Sequence, residues 1–348
     1  MTGTTQLKQH HANDEIQRAL VVGAGSWGTA FARHLVRRGV ETRLLCRREE
    51  QAAFMRRERR NPNYLTFLEL PSELRYGTFA EADYAEADLV VMAVPSKAYR
   101  EAVRLLAPRL PLQPAILSLT KGLDPSTLQR LSEVLEEELG GLSPRLAVLS
   151  GPNHAEEVAR DQPTATVIAS RDVSYARTLQ VLLTDQNLRA YVNTDLVGVE
   201  LAAATKNVIA LATGMSDGLG YGDNARAALI TRGLAEMTRL GLALGALPQT
   251  FAGLAGLGDL VGTCTSQHSR NRRAGELIAR DHPAAQVEAE LGMVAEGLTA
   301  ARAVLALAHQ HQVEMPITEN VVAVVFGGKD VRASVRDLMA RQLRAEVM

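Results

Sequence analysis

Short unbroken apolar runs alternate with helical spacing through the first half of the chain, and after Asn193 such runs nearly vanish. Ala19-Leu20-Val21-Val22, Thr42 to Leu45, Leu89 to Val94, Ala115 to Leu119, Leu146 to Leu149, Thr164 to Ala169 and Leu188 to Val192 read as strands. Continuous apolar strands suit a parallel sheet covered by helices on both faces. From residue 194 onward, helical patterns are punctuated only by glycines and prolines, which predicts a second, all-helical domain. The expected division is a flexible tail over 1–15, an α/β domain over 16–193 and a helical domain over 194–348. A chain of 348 residues exceeds the roughly 250 at which a single core stops growing.

One helical run stands apart. From Val199 to Ala212 the residues are almost all Ala, Leu, Val, Ile and Thr, which predicts a helix packed on most of its sides, yet Lys206 lies within it. A buried ammonium has its pKa lowered toward values useful for proton transfer. A lysine that extends its head to solvent along a packed stem is the alternative. A loop is expected next, with Gly214, Gly218, Gly220 and Gly222 around Asp217, Asp223 and Asn224, where glycine lets backbone approach a ligand.

Composition narrows the classes. Hydrophobic residues at 46%, charged residues at 22% and a net charge of -1 give no general attraction to nucleic acid or an anionic membrane. Two cysteines, Cys46 and Cys264, form neither a disulfide framework nor a zinc pattern, so a cytoplasmic location is expected. The polar first 15 residues lack the apolar core of a signal peptide, and no window approaches the ~18 uninterrupted apolar residues of a membrane span. His309 and His311 do not share a helix face, no His-Glu-x-x-His or Cys-x-x-Cys occurs, and no metal is expected. No G-x-S-x-G elbow points to a serine hydrolase.

The first strand leads into Gly23-Ala24-Gly25-Ser26-Trp27-Gly28 and then a helix, the order of the dinucleotide-binding fingerprint. The domain is therefore expected to be Rossmann-type, a doubly wound, mainly parallel sheet. Gly23 would allow the turn, Gly25 the approach of the pyrophosphate and Gly28 the contact of helix with strand. After the second strand, where an acidic residue would grip the ribose of NAD, Arg47 and Arg48 stand instead, which favours the 2′-phosphate of NADPH over NADH. A solvated charge run is the other reading of these arginines. Ligands collect at the carboxyl ends of such strands, which gathers Gly23, Arg47, Pro95, Lys121 and Gly151 on one edge. In the second half, Asp259 follows a glycine-rich stretch and is either a helix cap or a ligand contact. Ser269 could cap a helix whose first turn carries Arg270, Arg272 and Arg273. Cations are disfavoured there unless an anion binds. Glu296 precedes Gly297 at another turn, where simple capping would also explain it.

Taken together, Gly23 to Thr29, Val94-Pro95-Ser96, Thr120-Lys121-Gly122, Ser150-Gly151-Pro152, Lys206 to Ala210, Asn224-Ala225-Arg226, Ala255 to Leu260 and Ser269 to Arg272 resemble the NAD(P)-dependent glycerol-3-phosphate dehydrogenases of bacteria. The likeness runs from about Ala19 to Leu343. It implies that Ser26, Trp27, Arg47 and Arg48 hold the dinucleotide, with Ala155, Val294, Glu296 and Arg270 completing its pocket. Lys121 would touch both cofactor and substrate. Gly151, Asn153, Asp259, Ser269, Arg270 and Asn271 would hold glycerol 3-phosphate, and Lys206 would be the catalytic acid/base, with Lys121 beside it. The family usually carries Thr or Ser where this chain has Asn153. The implied reaction is reduction of dihydroxyacetone phosphate to sn-glycerol 3-phosphate by NADPH or NADH, supplying glycerophospholipid synthesis. A β-hydroxyacid or ketopantoate-type reductase and a non-catalytic dinucleotide sensor are the competing readings. The base rate for soluble oligomers favours a homodimer.

Overall fold

The computed structural model describes residues 16–342, so the expectation for the tail over 1–15 lies outside the described residues. Eight strands form one sheet: β1 (Arg18–Val22), β2 (Glu41–Cys46), β3 (Arg75–Thr78), β4 (Leu89–Met92), β5 (Ala115–Ser118), β6 (Arg145–Ser150), β7 (Thr164–Ala169) and β8 (Leu188–Asn193). Their spatial order is β3-β2-β1-β4-β5-β6-β7-β8. Every neighbouring pair is parallel except β6 and β7, which run antiparallel. Side chains alternate across the sheet. Val21 and Val91 enter one apolar core, while Leu20, Val22, Val90 and Met92 enter another on the opposite face. Burial on both sides is why these strands are apolar without interruption. The edge strand β3 was not expected, because Arg75-Tyr76-Gly77-Thr78 carries a single large apolar residue.

The helices of this part are α1 (Ser26–Arg37), α2 (Glu49–Glu58), α3 (Tyr99–Leu106), α4 (Leu131–Glu138), α5 (Ala155–Ala159) and α6 (Val173–Leu183). After β8 all regular structure among the described residues is helical: α7 (Leu196–Gly218), α8 (Asp223–Ala243), α9 (Pro248–Ala252), α10 (Asp259–Thr265), α11 (Arg270–Ala279), α12 (Ala284–Leu291), α13 (Glu296–Gln310), α14 (Pro316–Gly327) and α15 (Val331–Met339). The axis of this part is α7, which is buried from Gly198 to Ser216 and packs against α8, α10, α11 and α13. Its 23 residues and mean hydropathy of 1.4 would suit a membrane span, but 94% of that window is buried inside the protein. Glu200, Lys206 and Asn207 are what interrupt the apolar run.

The loop expected from Gly214 does not begin there, because α7 continues to Gly218. Both glycines serve helix crossing. A Cβ on Gly214 would sit 1.9 Å from the Arg272 carbonyl oxygen, and one on Gly218 would sit 2.7 Å from the Ala279 Cβ. On the facing helix, a Cβ on Gly275 would lie 2.2 Å from the Leu211 oxygen. Backbone contact between α7 and α11 thus outweighs a helix-propensity cost of about 1 kcal/mol per glycine. Gly214→Ala should force the helices apart and lower stability by about 1–3 kcal/mol, read as a fall in the thermal unfolding midpoint. An unchanged midpoint would mean that the crossing has slack.

Candidate active site

At the end of β1, Gly23 has φ 116°, and a Cβ there would lie 2.6 Å from the Ala93 oxygen. A Cβ on Gly28 would lie 1.9 Å from the Gly23 oxygen, so its contact is with the turn itself. A Cβ on Gly25 would meet no protein atom within 4 Å, so the protein's own packing leaves that space open. Gly25 is the N-cap of α1 and supplies no side-chain cap. In the next two residues, Ser26 Oγ and Trp27 Nε1 are buried without a hydrogen-bond partner among the described residues. Buried polar atoms are normally paired, and an anion at a helix N-terminus would meet this need. The residues present therefore fit the pyrophosphate of a dinucleotide.

Beyond β2, Arg47 and Arg48 are exposed, and neither guanidinium makes an ion pair among the described residues. Arg48 borders a cavity of about 360 Å³ shared with Glu50, Gln51, Phe54, Pro62 and Asn63. Further along the edge, the Glu296 carboxylate accepts the Ser96 N–H (3.1 Å) and hydroxyl (2.5 Å). It therefore clasps the turn after β4, not the start of its own helix, as simple capping would require. Burial pushes its pKa up, with the Ser96 hydrogen bonds opposing. Ala155 opens α5, which packs against α1.

The carboxyl ends of β5 and β6 meet α7 and α10 in a lysine cluster. Lys206 is 4% exposed and donates to Asp259 Oδ1 (2.6 Å) and Thr263 Oγ1 (2.8 Å). Lys121 donates to Asp259 Oδ2 (2.9 Å), Asn153 Oδ1 (3.0 Å) and the Gly151 carbonyl (3.2 Å). The snorkelling alternative for Lys206 and the capping alternative for Asp259 both fall. Gly258 holds the N-cap position of α10, and the Asp259 carboxylate turns sideways to the two lysines. Burial lowers the Lys206 pKa to about 8 against the pull of Asp259, and Lys121 adds to the lowering. For Asp259, burial acts upward, but the two ammonium groups outweigh it and hold the carboxyl below its ordinary value. Thr263 is a site member that the sequence reading missed; it lies one helical turn beyond Asp259.

Ser269 is the N-cap of α11, its hydroxyl accepting the Arg272 N–H at 3.2 Å. Of the three arginines in that turn, Arg272 is committed to Asp217 (2.7 Å) and Glu276 (2.9 Å), and Arg273 is exposed. Arg270 donates to the neutral Val294 carbonyl at 3.3 Å and makes no ion pair among the described residues, although its charge reaches the Glu296 carboxylate. The Asn271 amide joins helices, donating to Asn207 Oδ1 (2.9 Å) and accepting the Gly297 N–H (2.9 Å). What Asn271 can still offer an anion is its backbone N–H in the first turn of α11. Among the described residues, no three His, Cys, Asp or Glu side chains gather as a metal's donor set.

Two family models match this chain. NAD-dependent glycerol-3-phosphate dehydrogenase N-terminus covers residues 18–176, and the corresponding C-terminus covers residues 195–336. Glycerol-3-phosphate dehydrogenase (NAD(P)+) 2 of Salinibacter ruber is 47% identical over 325 residues, spanning 93% of this chain and 94% of its own. The crystal structure of glycerol-3-phosphate dehydrogenase from Coxiella burnetii superposes with a TM-score of 0.90 at 39% identity, covering 94% of this chain and 99% of that one. A ketopantoate reductase from Ralstonia eutropha covers 92% of this chain and 99% of its own at a TM-score of 0.60, but at 16% identity that likeness extends to the fold alone.

Proposed function

The chain belongs to the NAD-dependent glycerol-3-phosphate dehydrogenase family and interconverts dihydroxyacetone phosphate and sn-glycerol 3-phosphate with a nicotinamide dinucleotide, and on that premise we propose that Lys206 is its proton donor. The product feeds glycerophospholipid synthesis. The observation that carries the proposal is a buried ammonium with a donor to spare. An ammonium has three N–H groups, and Lys206 commits two of them, to Asp259 and Thr263. The third would meet the C2 oxygen of dihydroxyacetone phosphate. When bound, the reduced dinucleotide supplies hydride to C2. Lys206 then protonates the developing alkoxide, and its charge stabilises that oxygen before transfer. In the reverse direction neutral Lys206 takes the hydroxyl proton.

Lys121 has all three N–H groups engaged, so its part is orientation and field until substrate displaces a partner. Arg270, with the free N–H groups at the start of α11 after Ser269, would anchor the substrate phosphate. The part over 16–193 would thus hold the dinucleotide, and the part over 194–348 the substrate and the proton donor. We favour NADPH, because Arg47 and Arg48 have no ion-pair partner among the described residues and stand where the 2′-phosphate would lie. We also favour a cytoplasmic location, which the two buried free thiols Cys46 and Cys264 support, and a homodimer, on base rate alone. The sensor reading leaves a desolvated Lys206 unexplained, and the ketopantoate reading leaves the arginine at α11 without a phosphate.

The test follows the fall in NADPH absorbance on adding dihydroxyacetone phosphate. NADPH that binds and stays unoxidised would remove the substrate assignment. In the Arg47→Ala/Arg48→Ala variant the KM for NADPH should rise about tenfold or more, since hydrogen bonds to charged groups contribute about 1.5–3 kcal/mol, while the KM for NADH stays put. Equal losses with both cofactors would return the two arginines to a solvated charge run.

A further inference from the structure

We propose that Thr166, on β7, is a positioning residue for this reaction, fixing through Asn153 which oxygen of Asp259 Lys121 occupies and thereby leaving the other to Lys206. The argument is one of donor counting. The Thr166 hydroxyl has a single proton, and it goes to the Ser150 carbonyl at 2.9 Å. Toward Asn153, 2.9 Å away, the hydroxyl can therefore only accept, so the side chain of Asn153 must present its Nδ2 there. Its Oδ1 is left facing Lys121, at 3.0 Å. Ser150 and Thr166 are fully buried and Asn153 is 7% exposed, so solvent competes little for these groups. With Asn153 Oδ1, the Gly151 carbonyl and Asp259 Oδ2, the three donors of Lys121 are complete. Asp259 Oδ1 stays with Lys206.

The reversal of β7 makes this arrangement available. Because β7 runs antiparallel to β6, with Val167 paired to Ser150, its early residues lie at the carboxyl end of β6, beside Gly151. Thr166 so reaches the lysine cluster from a strand that a parallel continuation would have pointed away. A simpler role, satisfying one buried carbonyl, accounts for the Ser150 bond. It does not account for the fixed direction of the Asn153 amide.

The inference rests on Lys206 as proton donor, which the loss of turnover in Lys206→Ala tests separately. Thr166→Val keeps the shape and removes the hydroxyl. It should lower kcat/KM for dihydroxyacetone phosphate about tenfold, in line with the loss of one hydrogen bond to a charged or buried group, with NADPH binding unchanged. The alkaline limb of the rate should also move to higher pH. The charged and titratable groups around the Lys206 ammonium are Asp259, Lys121, His154 and Cys264, and the one loosened is Lys121, whose nearby charge depresses the Lys206 pKa. Thr166→Ser should recover both the rate and the limb. Asn153→Ala alone should reproduce the Thr166→Val behaviour, and the double variant should be no worse than Asn153→Ala. A Thr166→Val protein that melts earlier but keeps its kcat and alkaline limb would overturn the inference, as would additive losses in the double variant. Should Thr166→Val not fold, an unshifted limb in Asn153→Ala would overturn it equally.

Discussion

Lys206→Ala should lose about three orders of magnitude in kcat for dihydroxyacetone phosphate reduction while still binding NADPH, within the roughly 10²- to 10⁴-fold range of positioned acid catalysis. The lysine lies in α7, away from the glycine turn and Arg48, so cofactor affinity should not follow the rate. Lys206→Arg should not rescue turnover, because a guanidinium keeps its proton throughout the working range. The parent enzyme's pH profile adds a signed test. Reduction needs the ammonium, whose pKa burial lowers to about 8, so the rate should be level below that pH and fall above it. Oxidation of glycerol 3-phosphate needs neutral lysine and should rise over the same interval. Steady-state rates in both directions, with circular dichroism to verify folding, decide the matter. Retention of most of the rate in Lys206→Ala would pass the proton-donor role to Lys121.

Arg130→Met should destabilise the protein by about 3–5 kcal/mol, the cost of breaking one side of a buried ion pair. Glu200 of α7 is 4% exposed and accepts from Arg130 (2.7 Å), the Ser132 N–H (2.8 Å) and the Ser132 hydroxyl (2.6 Å). Arg130 immediately precedes α4, so the pair ties the central helix of the second part to the sheet-bearing first part. Burial already pushes the Glu200 pKa above its ordinary value, with Arg130 opposing, and removing Arg130 raises it further. A carboxyl with a raised folded pKa is least costly when protonated, so stability is lost as pH rises through that pKa. The deficit of Arg130→Met should thus be larger at pH 8 than at pH 5 in urea titrations. Adding Glu200→Leu should restore much of it, since apolar replacement of a whole buried pair is often neutral. A deficit independent of pH would assign the loss to packing instead of charge.

What the sequence revealed and what it hid divide along locality. The turn from Gly23 to Gly28 was legible because strand, glycines and helix are contiguous, and Lys206 because a charge in an apolar helix is visible by eye. Glu200, in the same run, passed unnoticed, since its partner lies 70 residues away. Asp259 stayed undecided between cap and ligand contact because Lys206 and Lys121 are 53 and 138 residues distant. Gly214 and Gly218 were misread because glycine serves both loops and tight helix crossings, and only the position of α11 distinguishes the two. Thr263 left a faint trace as the residue four beyond Asp259. The direction of β7 left none, because an apolar strand reads alike in either sense.

The burial of α7 on all sides also bears on how the chain is made. Gly218 leaves the ribosome well before Arg270, Glu296 and the rest of α11 and α13 are synthesised. At about 5–20 residues per second, an apolar 23-residue helix waits seconds for its covering. During that interval the nascent chain presents a surface as oily as a membrane segment, its charges confined to Glu200, Lys206 and Asp217. The same charges that serve the finished enzyme thus mark the emerging helix as cargo to be held in water until its neighbours arrive.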